Sequence, residues 1–349
     1  IQYGLAKRFE KPTFAPSWTG VYNATEYRDA CPQVGIGKPP PGVPAFQTST
    51  MSENCLYANV WAPAVEVGAP GTNRSVLVFI HGGGFTVGTI FNFLVDGRYL
   101  AAKGDLVVVA IAYRIGAFGY LYGGIASTPG NLGYHDQILA LKWVKANIAA
   151  FGGDPSKVTI AGESAGSYSV GELILSPLAK GLFHRAILQS GAPNSLTGGM
   201  PKSRSLENTK ALARHLNCST SSNQAMVECL QSRPLLSIVN YTAIEYSSTD
   251  RFFTPIYGDE VAPLAPVEAL KLGFIASPGV DLLFGVCNDE GTMFALNMFP
   301  QYASNATHLT VDSVRRDIVH GTVVYKQHFG AEVADYYTKD LVNPTQDQL

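Results

Sequence analysis

The residues best suited to chemistry form the pentapeptide Gly162-Glu-Ser-Ala-Gly166, a Gly-x-Ser-x-Gly pattern. This pattern is typical of a nucleophilic serine on a sharp turn from a strand to a helix, where the hydroxyl is exposed. The flanking glycines relieve crowding at the strained turn. A short β-branched strand at 157–161 precedes it. We therefore predict that Ser164 is a nucleophile for acyl transfer, although five residues alone are weak evidence in a glycine-rich chain.

Acyl transfer also needs hydrogen-bond donors for the oxyanion. Ala165 begins the predicted helix after the serine, so its N–H group is a natural donor. The run His81-Gly-Gly-Gly-Phe85 directly follows a predicted strand, and α/β sheets bind ligands at the carboxyl ends of their strands. We expect Gly83 and Gly84 to supply the other donors. His81 is expected to hold this loop rather than to act as the base.

A serine nucleophile further needs a base and an acid that orients the base. Asp289-Glu-Gly291 follows an apolar strand, and the chain order of serine, acid and histidine makes Asp289 or Glu290 the acid. Spacing alone does not distinguish the two carboxylates. The alternative is that both are solvated loop residues.

The elements that must position these residues alternate between strand-like and helix-like runs. Residues 75–80 and 105–112 are nearly continuous apolar runs, as strands covered on both faces should be. Residues 185–189 are predicted as a strand and residues 280–286 as a buried one. Between 131 and 151, apolar residues recur every three or four positions, which predicts an amphipathic helix ended by glycines.

Strands separated by helices predict the α/β class, with a mostly parallel central sheet flanked by helices. The stretch 195–274 is more polar and helical, and is expected to be a helical insertion within a single domain over 1–349. Both ends look cut, since the chain begins at Ile1 without a signal sequence and ends in a polar loop. We expect an incomplete domain.

The bulk composition excludes several classes of protein. The 349 residues are 46% hydrophobic and 15% charged, which argues against disorder. A net charge of -2 gives no electrostatic footprint for nucleic acid, and no apolar run is long enough to span a bilayer. The predicted chemistry needs no cofactor and no metal ion.

Five cysteines and several Asn-x-Ser/Thr sequons favour a secreted or extracellular protein over a cytosolic one with reduced thiols. Cys31 with Cys55 and Cys218 with Cys229 could each close a short loop, contributing about 3 kcal/mol. Cys287 is left over and is predicted to be a buried free thiol at the end of a strand. The candidate glycosylation sites are Asn23, Asn73, Asn217, Asn240 and Asn305.

Together the motifs resemble the type-B carboxylesterases, the family of carboxylesterases and cholinesterases on the α/β-hydrolase fold. The resemblance covers essentially the whole chain, with Asn54 standing where the family usually has Asp. The motifs that carry it are Glu53-Asn-Cys-Leu-Tyr-Ala-Asn-Val-Trp61, His81 to Phe85, Tyr113-Arg-Ile-Gly-Ala-Phe-Gly119, 151–166, Leu188-Gln-Ser-Gly191 and Gly285-Val-Cys-Asn-Asp-Glu-Gly291.

This resemblance implies that Glu290 is the acid of the triad. It also implies the disulfides Cys31–Cys55 and Cys218–Cys229, and the structural ion pairs Arg8–Glu53 and Arg114–Asp136. In this family the catalytic histidine follows the acid by roughly a hundred residues. Counted from Glu290, that histidine is expected beyond Leu349.

The histidines within the chain are not expected to be the base. His320-Gly321 imitates the family's context but belongs to a helix-like segment, directly after the run at 311–319. The other histidines have no supporting pattern, so the chain alone should be nearly inert as an enzyme.

The resemblance implies a small-molecule ester substrate, and we expect neutral, fairly apolar esters. Cholinesterases bind a quaternary ammonium with a Trp before the Met-Ser-Glu run and an aromatic residue after the acid. Here residues 44–49 contain no Trp and Met293 occupies the second position, with Phe46 and Phe294 as partial substitutes. Two alternatives stay open: a choline-ester hydrolase, and a non-catalytic binding or adhesion module of the same family.

Overall fold

The computed structural model describes residues 1–34, 50–64, 73–194, 199–246, 253–291, 310–324 and 330–340. The chain divides into two compact units, Ile1–Gly285 and Val286–Leu349. The first unit contains the central sheet and the second contains a pair of packed helices. The prediction of a single domain with an insertion stays a prediction.

The central sheet confirms the predicted α/β class. Its six strands run in the order β12-β9-β8-β4-β5-β3, and every neighbouring pair is parallel except β3 with β5. Parallel neighbours need a crossover, and the intervening helices provide it. The described strands are β1 Gly4–Leu5, β2 Thr13–Phe14, β3 Ala58–Trp61, β4 Arg74–Ile80, β5 Val107–Ile111, β6 Tyr122–Ile125, β7 Thr128–Pro129, β8 Gly153–Glu163, β9 Arg185–Gln189, β10 Met200–Pro201, β11 Ile256–Tyr257 and β12 Asp281–Gly285.

Helices connect and cover these strands. Four of them fall within 195–274, together with the short strands β10 and β11. Within the residues described, no helix is long and apolar enough to cross a membrane. The helices are α1 Arg98–Gly104, α2 Gly116–Tyr120, α3 Leu132–Asn147, α4 Ala165–Leu175, α5 Lys202–His215, α6 Asn223–Ser232, α7 Leu235–Tyr246, α8 Pro266–Lys271, α9 Val311–Val324 and α10 Gly330–Thr338.

Strand β5 is buried along its whole length, as its continuous apolar run predicts. The expectation of a buried strand at 280–286 is wrong. Strand β12 forms there, but all five of its residues are exposed, since it lies at the edge of the described sheet and pairs only with β9. Cys287, which follows β12, is a free and exposed cysteine, so the predicted buried thiol is wrong for the same reason.

Helix α3 ends as the glycines predict. A short 3-10 turn, Ile148–Phe151, follows it, and Gly152 stops the turn with a left-handed φ of 81°. The predicted amphipathic character is wrong, because most of the first thirteen residues are buried on every side. Helix α3 contacts α2, β1, β2 and β8, so even polar His135 and Asp136 lie inside.

Covalent and ionic links implied by the resemblance are present. The disulfides Cys31–Cys55 and Cys218–Cys229 are formed. Arg8 pairs with Glu53. Arg114 pairs with Asp136 at 2.8 Å, and both side chains are almost completely buried.

Candidate active site

Ser164 occupies the turn between β8 and α4. Its backbone has φ 52° and ψ -121°, a conformation that residues with a Cβ rarely adopt. The Ser164 N–H group donates to the Gln189 carbonyl of neighbouring β9 at 2.9 Å. The side chain does not cap α4, although Ser164 occupies the capping position. The turn therefore has the geometry expected of a nucleophile elbow.

The flanking glycines are required by close backbone contacts. A Cβ on Gly162 would lie 2.3 Å from the backbone of Gly166, and a Cβ on Gly166 would lie 2.0 Å from the carbonyl oxygen of Ile80. Both distances are shorter than any real carbon contact. The N-terminus of α4 can therefore approach the end of β4 only because these positions lack side chains.

The segment that follows β4, residues 81–88, is called the glycine loop here, and its start lies beside Ser164. A Cβ on Gly82 would lie 3.1 Å from the Ser164 Cβ and 2.6 Å from a carboxylate oxygen of Glu163. Gly83 and Gly84 both have positive φ, at 105° and 63°. The structure thus brings together the two segments that contain the predicted oxyanion donors. The donor role of Gly83, Gly84 and Ala165 stays a prediction.

His81 is held rigidly at the start of this loop. Its Nδ1 donates to the Gly82 carbonyl at 2.9 Å, and its ring stacks on Tyr113 with centroids 4.4 Å apart. The Tyr113 hydroxyl donates to the His81 carbonyl at 2.7 Å. Burial lowers the pKa of His81 to about 4, so the imidazole is neutral near pH 7. These contacts fit the expected role of His81 in holding the loop.

The end of β9 completes the surroundings of Ser164. Ser190 has a φ of 53°, and its N–H group donates to the Gly285 carbonyl of β12 at 2.8 Å. A Cβ on Gly191 would lie 2.7 Å from the Ser164 carbonyl oxygen. The Ser167 hydroxyl in α4 donates to the Gly191 carbonyl at 2.7 Å. The carboxyl ends of β4, β8 and β9 therefore meet around Ser164.

Glu290 lies in a turn of the second unit. Its Oε1 accepts a hydrogen bond from the Cys287 N–H group at 2.9 Å. Ser164 belongs to the first unit, so the pairing of Glu290 with the nucleophile stays a prediction.

The described histidines of the first unit other than His81 make local contacts. His135 is buried 3.5 Å from Glu260, and its desolvation lowers its pKa to about 4. His184 Nδ1 accepts from the Val158 N–H group, and the His215 ring contacts Tyr241. In the second unit, His320 is exposed within α9. His308, His328, Asn305, Met293, Phe294 and Phe46 lie outside the described residues.

Two residues near the site, Tyr113 and Gln33, were not predicted to belong to it from the sequence. Tyr113 falls within a motif that carries the family resemblance, which could have indicated it. Gln33 contacts the glycine loop from 55 positions away and belongs to no motif. No group of side chains suited to hold a metal ion occurs in the described part of the chain.

Comparison with known proteins gives consistent similarities. The family model described as "Carboxylesterase family" matches residues 4–348. The chain is 36% identical to an acetylcholinesterase of Danio rerio over 98% of this chain and 55% of that relative. It is 34% identical to an acetylcholinesterase of Bungarus fasciatus, and 35% identical to a cholinesterase of Mus musculus, in each case over 98% of this chain and 57% of the relative. The chain thus spans little more than half the length of these relatives.

Proposed function

Because the chain belongs to the carboxylesterase family of α/β-hydrolase proteins, we propose that it provides the nucleophile of a serine carboxylic-ester hydrolase. The observation that carries this proposal is the elbow at Ser164. The serine has a strained positive φ, it is flanked by glycines that admit no Cβ, and it lies beside the glycine loop that begins at His81. Stored strain of this kind is typical of active sites.

In the proposed reaction, Ser164 Oγ attacks the ester carbonyl while a base takes the hydroxyl proton. The N–H groups of Gly83, Gly84 and Ala165 stabilise the oxyanion of the tetrahedral intermediate. Collapse of this intermediate releases the alcohol, which receives the proton, and leaves an acyl group on Ser164. Water then attacks the acyl-enzyme by the same route and releases the carboxylic acid.

Glu290 is proposed as the acid that orients the base. The base itself is proposed to come from chain beyond Leu349. Two observations support this: the relatives are nearly twice as long as the part matched here, and the described histidines of the first unit make the local contacts given above. None of these histidines has the sequence context that the family uses for its base.

The substrates are proposed to be neutral, fairly apolar esters. Support comes from the sequence, which lacks a Trp in 44–49 and has Met293 where cholinesterases have an aromatic residue. The names of the relatives favour choline esters as the second candidate. Acetylcholine and its neutral isostere 3,3-dimethylbutyl acetate distinguish the two. A kcat/KM ratio near one supports the proposal, and a strong preference for acetylcholine overturns it.

We also propose a secreted or extracellular protein with glycans at Asn23, Asn73, Asn217, Asn240 and Asn305. The two disulfides support an oxidising compartment. A single α/β-hydrolase domain with a helical insertion at 195–274 is the proposed organisation.

Covalent labelling tests the catalytic proposal. In the protein as its cells produce it, a fluorophosphonate should form an adduct on Ser164, and S164A should abolish both the adduct and ester turnover. A protein that remains unlabelled would instead be a binding module. The 349-residue chain expressed alone should turn over esters several orders of magnitude more slowly. Ordinary turnover by that chain would show that the base lies within it.

A further inference from the structure

Gln33 makes an unusual pair of contacts with the far end of the glycine loop. Its Nε2 donates to the Gly88 carbonyl at 2.7 Å, and its Oε1 accepts from the Gly88 N–H group at 2.8 Å. The same Nε2 donates to the Cys31 carbonyl at 3.1 Å. Gln33 is only 2% exposed, so water does not compete for these bonds. The side chain thus pairs with Gly88 as a neighbouring strand would.

Gly88 in turn packs on the start of the same loop. It has a φ of 125°, and a Cβ placed on it would lie 2.4 Å from His81 Nδ1 and 2.5 Å from the Gly82 carbonyl oxygen. Gly82 itself lies against the nucleophile, because a Cβ placed on it would lie 3.1 Å from the Ser164 Cβ. Gln33 is therefore linked to the nucleophile through two glycines in direct contact.

Between its two ends the loop is held by its own backbone and by Phe85, whose carbonyl accepts from the Gly116 N–H group at 2.6 Å. The Gly83 carbonyl accepts from the N–H groups of Thr86 and Val87 at 3.1 and 3.0 Å, which folds residues 83–87 into a tight turn. A tight turn fixes its own shape but not its orientation toward β8. The Gln33 contact supplies a further anchor from outside the loop, at its far end, and Cys31 ties that anchor to Cys55 through a disulfide.

We propose that Gln33 is a positioning residue for the oxyanion hole. The inference rests on the proposed function, because it assumes that Gly83 and Gly84 stabilise an oxyanion. Donors act on the transition state only when they lie close to ideal distance and direction, and a misplacement of about 1 Å costs as much as 100-fold in rate. By holding Gly88, Gln33 fixes the loop that presents these donors to Ser164.

The experiment compares Q33E with N131D in the protein as its cells produce it. Q33E keeps the shape of the side chain but removes both amide donors. Asn131 is also buried and pairs in the same two-bond manner, with the backbone of Ile256 at 2.8 and 2.9 Å. N131D therefore makes the same chemical change in a pair outside the glycine loop, and it also removes the hydrogen bond that Asn131 donates to the Asp259 carboxylate at 2.9 Å. Both variants should lose stability to denaturant.

Q33E should lower kcat by about 10- to 100-fold with KM changed by less than about threefold, because the contact acts on the transition state. Its affinity for a trifluoromethyl ketone, which forms a tetrahedral oxyanion on the serine, should fall by a similar factor. N131D should retain kcat per folded molecule. An unchanged kcat in Q33E, or an equal loss in both variants, would overturn the inference.

Amide hydrogen exchange separates this inference from the proposed function. Q33E should speed exchange across residues 81–88, and N131D should not. If the wild-type protein shows neither labelling of Ser164 nor esterase activity, the proposed function fails. Faster exchange in Q33E would then still show that Gln33 positions the loop, whereas unchanged exchange would refute it.

Discussion

Arg114 and Asp136 form a two-bonded ion pair inside the first unit. Nε of Arg114 donates to one carboxylate oxygen and Nη2 to the other, each at 2.8 Å. The remaining Nη1 donates to the Glu10 carbonyl at 2.8 Å. The pair thus joins the N-terminal segment, the chain after β5 and helix α3 at a single buried point.

The first prediction concerns removal of one partner. R114M should lower the free energy of unfolding by about 3–5 kcal/mol, because it leaves the Asp136 carboxylate buried without its counter-charge. Urea denaturation measures the change. K210M is the matched control, since Lys210 pairs with Glu207 on an exposed face of α5 and its loss should leave stability almost unchanged. Equal effects of the two substitutions would contradict the prediction.

The second prediction concerns backbone strain at Ser164. S164G should be more stable than S164A by about 1 kcal/mol, because glycine adopts φ 52° and ψ -121° without a Cβ clash whereas alanine retains it. Both variants should be inactive, so activity is not the readout. Thermal unfolding of the two purified variants provides the comparison. A less stable S164G would show that the turn carries little strain.

The third prediction concerns Glu172, which is 4% exposed in α4. Burial, helped by Asp259, raises its pKa from 4.5 to about 8. The folded protein therefore keeps a proton that the unfolded chain releases above pH 4.5. The resulting stability is complete below pH 4.5 and is lost as the pH rises through 8, by at most about 1.4 kcal/mol per pH unit.

E172Q should remove this dependence, since an amide has no proton to lose. The quantity to measure is the difference in unfolding free energy between E172Q and wild type from pH 5 to pH 9. The difference is needed because His81 and His135, with pKa values lowered to about 4, make stability rise with pH up to about 6.5. The unfolding free energy of E172Q should increase relative to that of the wild type as the pH rises from 5 to about 8. A constant difference would mean that Glu172 is ionised throughout.

The fourth prediction concerns two of the sequons. Asn23 is exposed, and its Oδ1 accepts hydrogen bonds from the Thr25 N–H and hydroxyl groups. Asn240 lies in α7, where the Thr242 hydroxyl is buried and donates to the Val239 carbonyl. After secretion from a eukaryotic host, Asn23 should be glycosylated more completely than Asn240. Glycopeptide mass spectrometry measures both occupancies, with T25A as the negative control, and the reverse order would contradict the expectation.

The sequence predicted those features that depend on local pattern. The sharp turn at Ser164, strand β9 and the glycine that stops the turn after α3 follow from residue types and spacing. The disulfides and ion pairs came from the resemblance, because spacing alone cannot choose between pairings.

The features that escaped prediction depend on distant neighbours. Strand β12 has the apolar run of a buried strand, yet an edge position leaves Phe284 78% exposed. Periodicity records which faces are apolar and not which neighbours cover them. Gln33 was missed because a glutamine carries no local sign of a partner such as Gly88. Likewise, the spacing of apolar residues in α3 could not show that its polar side also packs against other elements.

The glycines around Ser164 are required by close backbone packing, whereas the serine is required only by the proposed chemistry. If the proposed hydrolase function were lost in a descendant of this protein, Ser164 could be replaced, but Gly166 could not, because a Cβ there would lie 2.0 Å from the Ile80 carbonyl oxygen. Position 164 would thus be expected to change before the glycines around it. Among distant homologues, the two glycines should therefore persist with the fold, and the residue at position 164 should indicate whether the proposed nucleophile was retained.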